Sequence, residues 1–240
     1  MPRRKPGRRY TCFMHANSRP VHSPQADLHR HLARKVGRHA ATVFRKPIAQ
    51  YNRDAFELGA RAWRAAGTPP LILDAGCGVG LSTLHLAAQF PRHFVIGVDR
   101  SADRISRNTL WPGELPANCI RLRADLVDYW RLLLEAGIRL DRHYVLYPNP
   151  WPKQHHLGRR WHGHPVFPTM AALGGHFECR SNWRTYIDEC AAALSQLSGQ
   201  PVQAEPHVPD GAVGGITPFE QKYAASGHSL WRCRISLAGG

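Results

Sequence analysis

Residues 71–80 read LILDAGCGVG and run straight into LSTLHLAAQF at 81–90. A short apolar run, three glycines at alternate positions and an apolar helical pattern therefore follow one another without a gap. Gly76, Gly78 and Gly80 permit positive φ and let a ligand approach the backbone closely. Such a loop between strand and helix belongs at the carboxyl edge of a doubly wound sheet, where these folds bind ligands. A second element lies 19 residues beyond Gly80, where VIGVDRS ends a second β-rich run on Asp99. A carboxylate there can accept hydrogen bonds from both hydroxyls of a ribose. Asp125, in LRADL after a third run, is placed to meet an adenine amino group.

Working outward from this stretch, short β-rich runs alternate with helical ones, the pattern of a parallel sheet covered by helices. Strands are expected at Leu71 to Asp74, Phe94 to Asp99, Ile120 to Ala124, Tyr144 to Tyr147 and His176 to Arg180. Between 182 and 197, Trp183, Tyr186, Ile187, Cys190 and Leu194 form one helical stripe that reads as core. The tail changes character: strands near Val202 to Glu205 and Leu230 to Leu237 flank a Gly/Pro-rich stretch and suggest a closing hairpin with an antiparallel edge strand. The fold class is thus α/β, a doubly wound, mostly parallel, seven-stranded Rossmann-like sheet. Upstream, residues 1–26 read as a flexible basic arm with Pro2, Pro6, Pro20 and Pro24, and 27–67 as a helical segment in which Pro47 occupies a first turn. Residues 68–240 form the main domain.

The formal net charge of +15 is unevenly spread. Residues 1–50 hold twelve Lys and Arg against one acid, Asp27, and so carry +11 of it; the other 190 residues are nearly balanced. A neutral body with a basic arm suggests a polyanionic partner, nucleic acid first, since cations that neutralise phosphates release condensed counterions. A solvated basic tail is the competing reading. No apolar run reaches the roughly 20 residues that span a bilayer, so no membrane partner is expected. Six cysteines without a CxxC pair indicate neither a zinc site nor a disulfide framework, and a reducing cytoplasm fits them. The Arg-rich start overlaps in character with organelle transit peptides, but Pro2, Pro6 and Gly7 argue against the amphipathic helix those need.

The glycine spacing decides between nucleotide cofactors. A dinucleotide fingerprint is GxGxxG, and Leu81 stands at its last glycine. GxGxG preceded by an acid, Asp74, is the usual S-adenosylmethionine loop. With Asp74, Asp99 and Asp125 ending three successive strands, the expectation is a methyltransferase of the class I fold. A nicotinamide-dependent oxidoreductase and a purely structural glycine turn are the alternatives.

The fourth strand is followed by YPNPWPKQHHLGRRW, 147–161, at the same rim of the sheet. Two prolines flank Asn149 and fix its backbone. Together with TPFEQKY at 217–223, this loop resembles the tRNA (guanine-N7)-methyltransferase family, whose hallmark is an FPDPWPK-type loop followed by His and Arg residues. The resemblance runs from about Leu71 to Leu237. It implies cofactor contacts at Asp74, Asp99 and Asp125 beside the glycines, and the catalytic position at Asn149. It further implies substrate contacts at Lys153, Asn182, Thr217, Pro218, Phe219 and Glu220, with tRNA or another structured RNA as partner. Arg159 and Arg160, with His155 and His156, would line the cleft as phosphate contacts. Trp151 and Trp161 either stack on bases or pack, and no metal site is expected from the histidines. The family carries Asp where this chain has Asn149 and Asn182. Guanine N7 already presents a lone pair, so methylation needs positioning rather than a base, and an enzyme remains expected. The alternative is a catalytically silent or substrate-shifted RNA-binding relative. The sequence leaves the oligomeric state open.

Overall fold

A computed structural model describes residues 17–107, 111, 114–209 and 214–238. Arg3, Arg4, Lys5, Arg8 and Arg9 of the expected arm lie outside the described residues. Seven strands, β1 (Leu71–Ala75), β2 (Phe94–Asp99), β3 (Cys119–Arg123), β4 (Arg142–Leu146), β5 (Gly175–Ser181), β6 (Glu205–His207) and β7 (Leu230–Leu237), form one sheet. Its order is β3-β2-β1-β4-β5-β7-β6. Pairs among β1 to β5 are parallel, and β7 is antiparallel to both of its neighbours. The order reverses between β1 and β4, and the carboxyl ends of those two strands flank the crevice in which such sheets bind ligands.

β1 and β2 are buried along their whole length, LILDA and FVIGVD, because helices cover both faces. One face packs the larger core, built around Leu73, Ile96, Trp130, Phe177 and Ile187. It is covered by α1 (Leu32–Ala40), α2 (Gln50–Ala65), α5 (Leu126–Glu135), α6 (Phe167–Ala172) and α7 (Arg184–Ser198). The other face packs a smaller core around Ile72, Val95 and Tyr144 with Leu86 of α3 (Leu81–Gln89). Two further helices, α4 (Ala102–Ser106) and α8 (Pro218–Ala225), complete the set. The stripe Trp183, Tyr186, Ile187, Cys190 and Leu194 is core, as expected. Cys190 also meets Cys179 and Cys233, which face each other across β5 and β7.

Several element ends differ from the sequence expectation, each for a local reason. β4 begins two residues early, because polar-looking His143 is fully buried and its Nε2 accepts from the Trp130 indole at 3.0 Å. Burial pushes that imidazole down to about 3, so it is a neutral core residue. Pro47 precedes α2 without entering it. The helix starts at Gln50, where Asp128 of α5 accepts from the Ala49 N–H and the Asn52 amide. The tail strand starts at Glu205 rather than Val202, because Ser195 Oγ engages both the N–H and the carbonyl of Val202. The antiparallel strand, β7, consequently sits one place in from the edge. β6 covers it outside, and Pro206, which lacks an N–H, suits that edge position.

Residues 17–26, read from sequence as part of the arm, lie against the body. Ser18 N–H donates to Ser226 Oγ, Ser23 Oγ donates to the Pro152 carbonyl at 2.7 Å, and Gln25 is buried.

One glycine without a ligand role is fixed by packing. A Cβ on Gly97, in the middle of β2, would stand 2.2 Å from Thr83 Oγ1 at the start of α3. Gly97→Ala should lower stability by about 1–3 kcal/mol through overpacking, read as a fall in the urea midpoint with an unchanged slope. An unchanged midpoint would mean that α3 can retreat from the sheet at no cost.

Candidate functional site

The glycine loop and the 147–161 loop leave the sheet from β1 and β4, and so meet at the reversal point. At the end of β1, Asp74 is 1% exposed, and its Oδ2 accepts from Ser82 Oγ at 2.6 Å and Thr83 Oγ1 at 2.7 Å, tying the first turn of α3 to the strand. Oδ1 has no partner among the described residues. Burial, against the help of those two hydroxyls, pushes the carboxyl up to about 6. Gly76, Gly78 and Gly80 all have positive φ, at 86°, 59° and 85°. A Cβ on Gly76 or Gly78 would meet nothing within 4 Å, so both face open space. Gly80 differs: its Cβ would stand 2.1 Å from Arg121 Cδ, and Arg121 Nη1 donates to the Val79 carbonyl. Arg121, absent from the sequence reading, thus walls one side of the loop. Asp99 closes the other. Its Oδ2 accepts from Gly78 N–H at 3.0 Å and its Oδ1 from Ser101 N–H at 2.8 Å, leaving one lone pair on each oxygen. Asp125 caps α5 by accepting from Val127 N–H.

The second loop is held under strain. Tyr147 and Trp151 have φ of 51° and 47°, a region bulky residues enter at a cost of about 1–3 kcal/mol, and they bracket Pro148, Asn149 and Pro150. Both ends are pinned. Tyr147 N–H donates to the Arg180 carbonyl and its phenol to Glu220 Oε1 at 2.9 Å. The Trp151 carbonyl accepts from Arg160 Nε, and the Arg159 guanidinium lies 4.8 Å from the Trp151 ring centre. Asn149 is exposed between these anchors, as are Lys153 and Arg159 beyond them.

Two expected substrate contacts are corrected. Arg160 is fully buried: its Nη1 pairs with Glu189 Oε2 of α7 at 2.5 Å, and its Nε and Nη2 are turned toward the carbonyls of Trp151 and Lys153. It organises the loop from behind and has no surface to offer a phosphate. Glu220 is likewise fully buried, accepting from Tyr147, Arg180, His207 and Ile216 N–H. Burial opposes its charge, yet the His207 hydrogen bond and the Arg180 guanidinium outweigh it and hold the carboxyl at about 2. Thr217 caps α8 by accepting from Glu220 N–H, so of 217–220 the exposed members are Pro218 and Phe219. Trp161 is half-buried and packs edge-on against Trp130 of the core, 4.8 Å between ring centres. Asn182 spends its amide on His228 Nδ1 at 3.1 Å.

Residues 68–233 match the model of a family described as "Putative methyltransferase". A tRNA (guanine-N(7)-)-methyltransferase from Pseudomonas savastanoi pv. phaseolicola is 33% identical over 173 residues, 68% of each chain. One from Acidovorax sp. (strain JS42) is 29% identical over 169 residues, 68% of this chain and 66% of that one. The chain belongs to the tRNA (guanine-N7)-methyltransferase family. Among solved structures, one titled "Structure of an Antibiotic Related Methyltransferase" superposes with a TM-score of 0.54 at 16% identity, covering 83% of this chain and 98% of that one. The 16S rRNA methyltransferase KamB gives 0.51 at 17% identity, with 80% and 95% covered. At those identities the likeness is one of fold.

Sequence reasoning missed Glu189, the residue behind the loop. Its carboxylate is fully buried and accepts from Gln25 Nε2, His29 N–H, Arg160 and His162. Burial alone would raise it; the His162 hydrogen bond and the Arg160 charge hold it at about 2 instead of 4.5. A carboxyl depressed in this way contributes stability that is fully present above pH 4.5 and lost as pH falls toward 2. Glu189→Gln should therefore cost roughly 3 kcal/mol near neutral pH, by leaving Arg160 buried without its anion. It should also flatten the acid limb of stability between those pH values. Urea unfolding at a series of pH values, followed by tryptophan fluorescence, measures both; an unaltered acid limb would assign the depressed carboxyl to another residue.

Proposed function

We infer that this chain transfers a methyl group from S-adenosylmethionine to N7 of guanine in tRNA. The observation that carries the reading is the convergence, at the β1/β4 reversal, of an open glycine loop and the strained Pro-Asn-Pro loop in a chain of this family. Of the three readings open from the sequence, the family match favours the methyltransferase over both the nicotinamide-dependent oxidoreductase and the silent relative.

The residues present fit the cofactor. Gly76 and Gly78 leave room against the backbone, Asp99 keeps an acceptor on each oxygen for ribose hydroxyls, and Asp125, the N-cap of α5 just beyond β3, is available to the adenine. Asp74, with one oxygen unpartnered, supplies negative charge under the loop. When bound, S-adenosylmethionine supplies an electrophilic methyl group on a sulfonium sulfur. The protein's own task is positioning. Guanine N7 carries an in-plane lone pair, so no residue has to remove a proton before attack. Asn149, exposed on a loop whose two ends are fixed, is suited to hold the base in line. Its Oδ1 accepts from the guanine edge and opposes the positive charge that develops there. Fixing the loop in advance avoids reorganisation during the reaction, which is what its strained backbone and buried anchors supply. Lys153 and Arg159, exposed next to it, provide cations for the flanking phosphates.

Three measurements test this. Incubation with labelled S-adenosylmethionine and total tRNA, followed by digestion to nucleosides, should yield N7-methylguanosine; a different methylated nucleoside would overturn the assignment of the base. Asn149→Ala should lose on the order of 10²-fold in kcat/KM, whereas Asn149→Asp should keep or raise the rate. Equal activity of the two variants would remove Asn149 from the reaction. Asp99→Ala should weaken S-adenosylhomocysteine by about 1–3 kcal/mol in calorimetry, and an unchanged affinity would displace Asp99 from the ribose.

A further inference from the structure

Helix α1, LARKVGRHA, contains no acid, and between Leu28 and Arg53 there are seven Lys and Arg and no Asp or Glu. Arg34 and Arg38 stand one helical turn apart, a like-charge spacing that disfavours an isolated helix. The helix is held by its other side: Leu32, Val36 and His39 are buried, and Gln196 of α7 donates to the Ala33 carbonyl. Its cations are thereby turned away from the core. Arg34 and Arg38 are exposed, and among the described residues neither they nor Lys35 is ion-paired.

Between α1 and the 3₁₀ turn Gln154–Arg159 runs a groove of about 590 Å³. Arg34, Lys35 and Arg38 line one wall, His155 stands on the other, His29 and His31 close one end, and no carboxylate contributes. Lys35 Nζ reaches across to within 3.3 Å of the place a Cβ on Gly158 would take, so the glycine keeps the passage open for it. His31 is held below its ordinary value by desolvation and by Arg34 and Arg30, as befits a positive field. The far wall is the continuation of the Asn149 loop itself, through exposed Lys153.

We propose that this groove is a binding site for the phosphodiester backbone of the RNA flanking the target guanine, gripped by Arg34, Lys35 and Arg38. The proposal rests on the reading of the chain as an RNA methyltransferase and adds to it the surface that holds the strand leading into the site. Three cations unpaired among the described residues, within about 6 Å of rise along α1 and carried on long side chains, can meet successive phosphates. Charge complementarity, with no apolar lining beyond Leu157, selects a phosphate backbone over a folded protein partner.

The test uses the full chain with its N-terminal residues intact. Arg34→Ala/Lys35→Ala/Arg38→Ala should weaken binding of a tRNA transcript by about tenfold or more and raise its KM, with kcat and S-adenosylhomocysteine affinity unchanged. The log–log salt slope should fall by about 2 to 3, near 0.7–0.9 for each lost contact. Arg34→Lys/Arg38→Lys should retain most of the affinity, which separates charge from helix integrity should the alanine variant unfold. An unchanged affinity and slope in the alanine variant, or loss in the lysine variant equal to that in the alanine one, overturns the proposal. So does polyglutamate competing as well as tRNA for the wild type. If the wild type methylates no tRNA, the reading of the activity fails separately, while the slope comparison still decides whether the groove binds RNA.

Discussion

A carboxylate with no exposure to water stays charged only if the protein supplies its donors, and Glu189 takes its four from two stretches of chain remote from its own helix. Gln25 and His29 come from the N-terminal segment, Arg160 and His162 from the loop after β4, and the acceptor from the middle of α7. The network is closed, since Arg160 Nη1 also donates to Gln25 Oε1 at 3.1 Å. Isolated, such a pair is weak evidence for stability, because desolvation consumes most of the attraction. Its consequence here is geometric. Arg160 spends its remaining nitrogens on the Trp151 and Lys153 carbonyls, so the position of α7 in the core fixes the position of the loop that presents Asn149.

A second buried carboxylate does the same from the opposite end. Glu220 of α8 joins the phenol of Tyr147 to the guanidinium of Arg180 on β5 and to His207 on β6. The five residues from Tyr147 to Trp151 are therefore clamped between two anionic hubs, one at each end, and both hubs draw on elements far away in sequence. That explains how two bulky residues can sit at positive φ: the surrounding bonds over-determine the backbone, and neither can relax without unpairing a buried charge.

The parts legible in the sequence are those governed by local pattern. Alternating β-rich and helical runs gave seven strands in the observed order of elements, and LILDAGCGVG places three glycines at positive φ between β1 and α3, as its spacing leads one to expect. The errors came where a distant residue decides a local outcome. His143 looks polar, and its burial in β4 rests on distant partners, the Trp130 indole and the Phe177 ring. Arg160 follows Arg159 in the chain and shares its charge, yet one is exposed and the other wholly buried, because Glu189 lies behind the second. Glu189 itself, in the plain helical run DECAAAL, carries no local mark of its role. Glu220, in TPFE, is expected from the resemblance as a substrate contact, and its donors Tyr147, Arg180 and His207 are invisible in that motif.

Asn182 shows how a departure from the family pattern can be accommodated by the surrounding chain. The Ser18 carbonyl can only accept, so the His228 nitrogen 3.0 Å from it, Nε2, carries the proton. In the neutral ring Nδ1 is then an acceptor, and it faces the Asn182 amide, which donates. An aspartate at 182 could not donate there; it would require His228 to carry a second proton or to surrender the Ser18 carbonyl. The amide thus lets the His228 ring, stacked on Tyr223 with an interplanar angle of 10°, bridge the end of β5 to the N-terminal segment. Asn182 keeps Oδ1 for other partners. Its amide nitrogen belongs, through His228, to the mooring that holds the Ser18 carbonyl against the body.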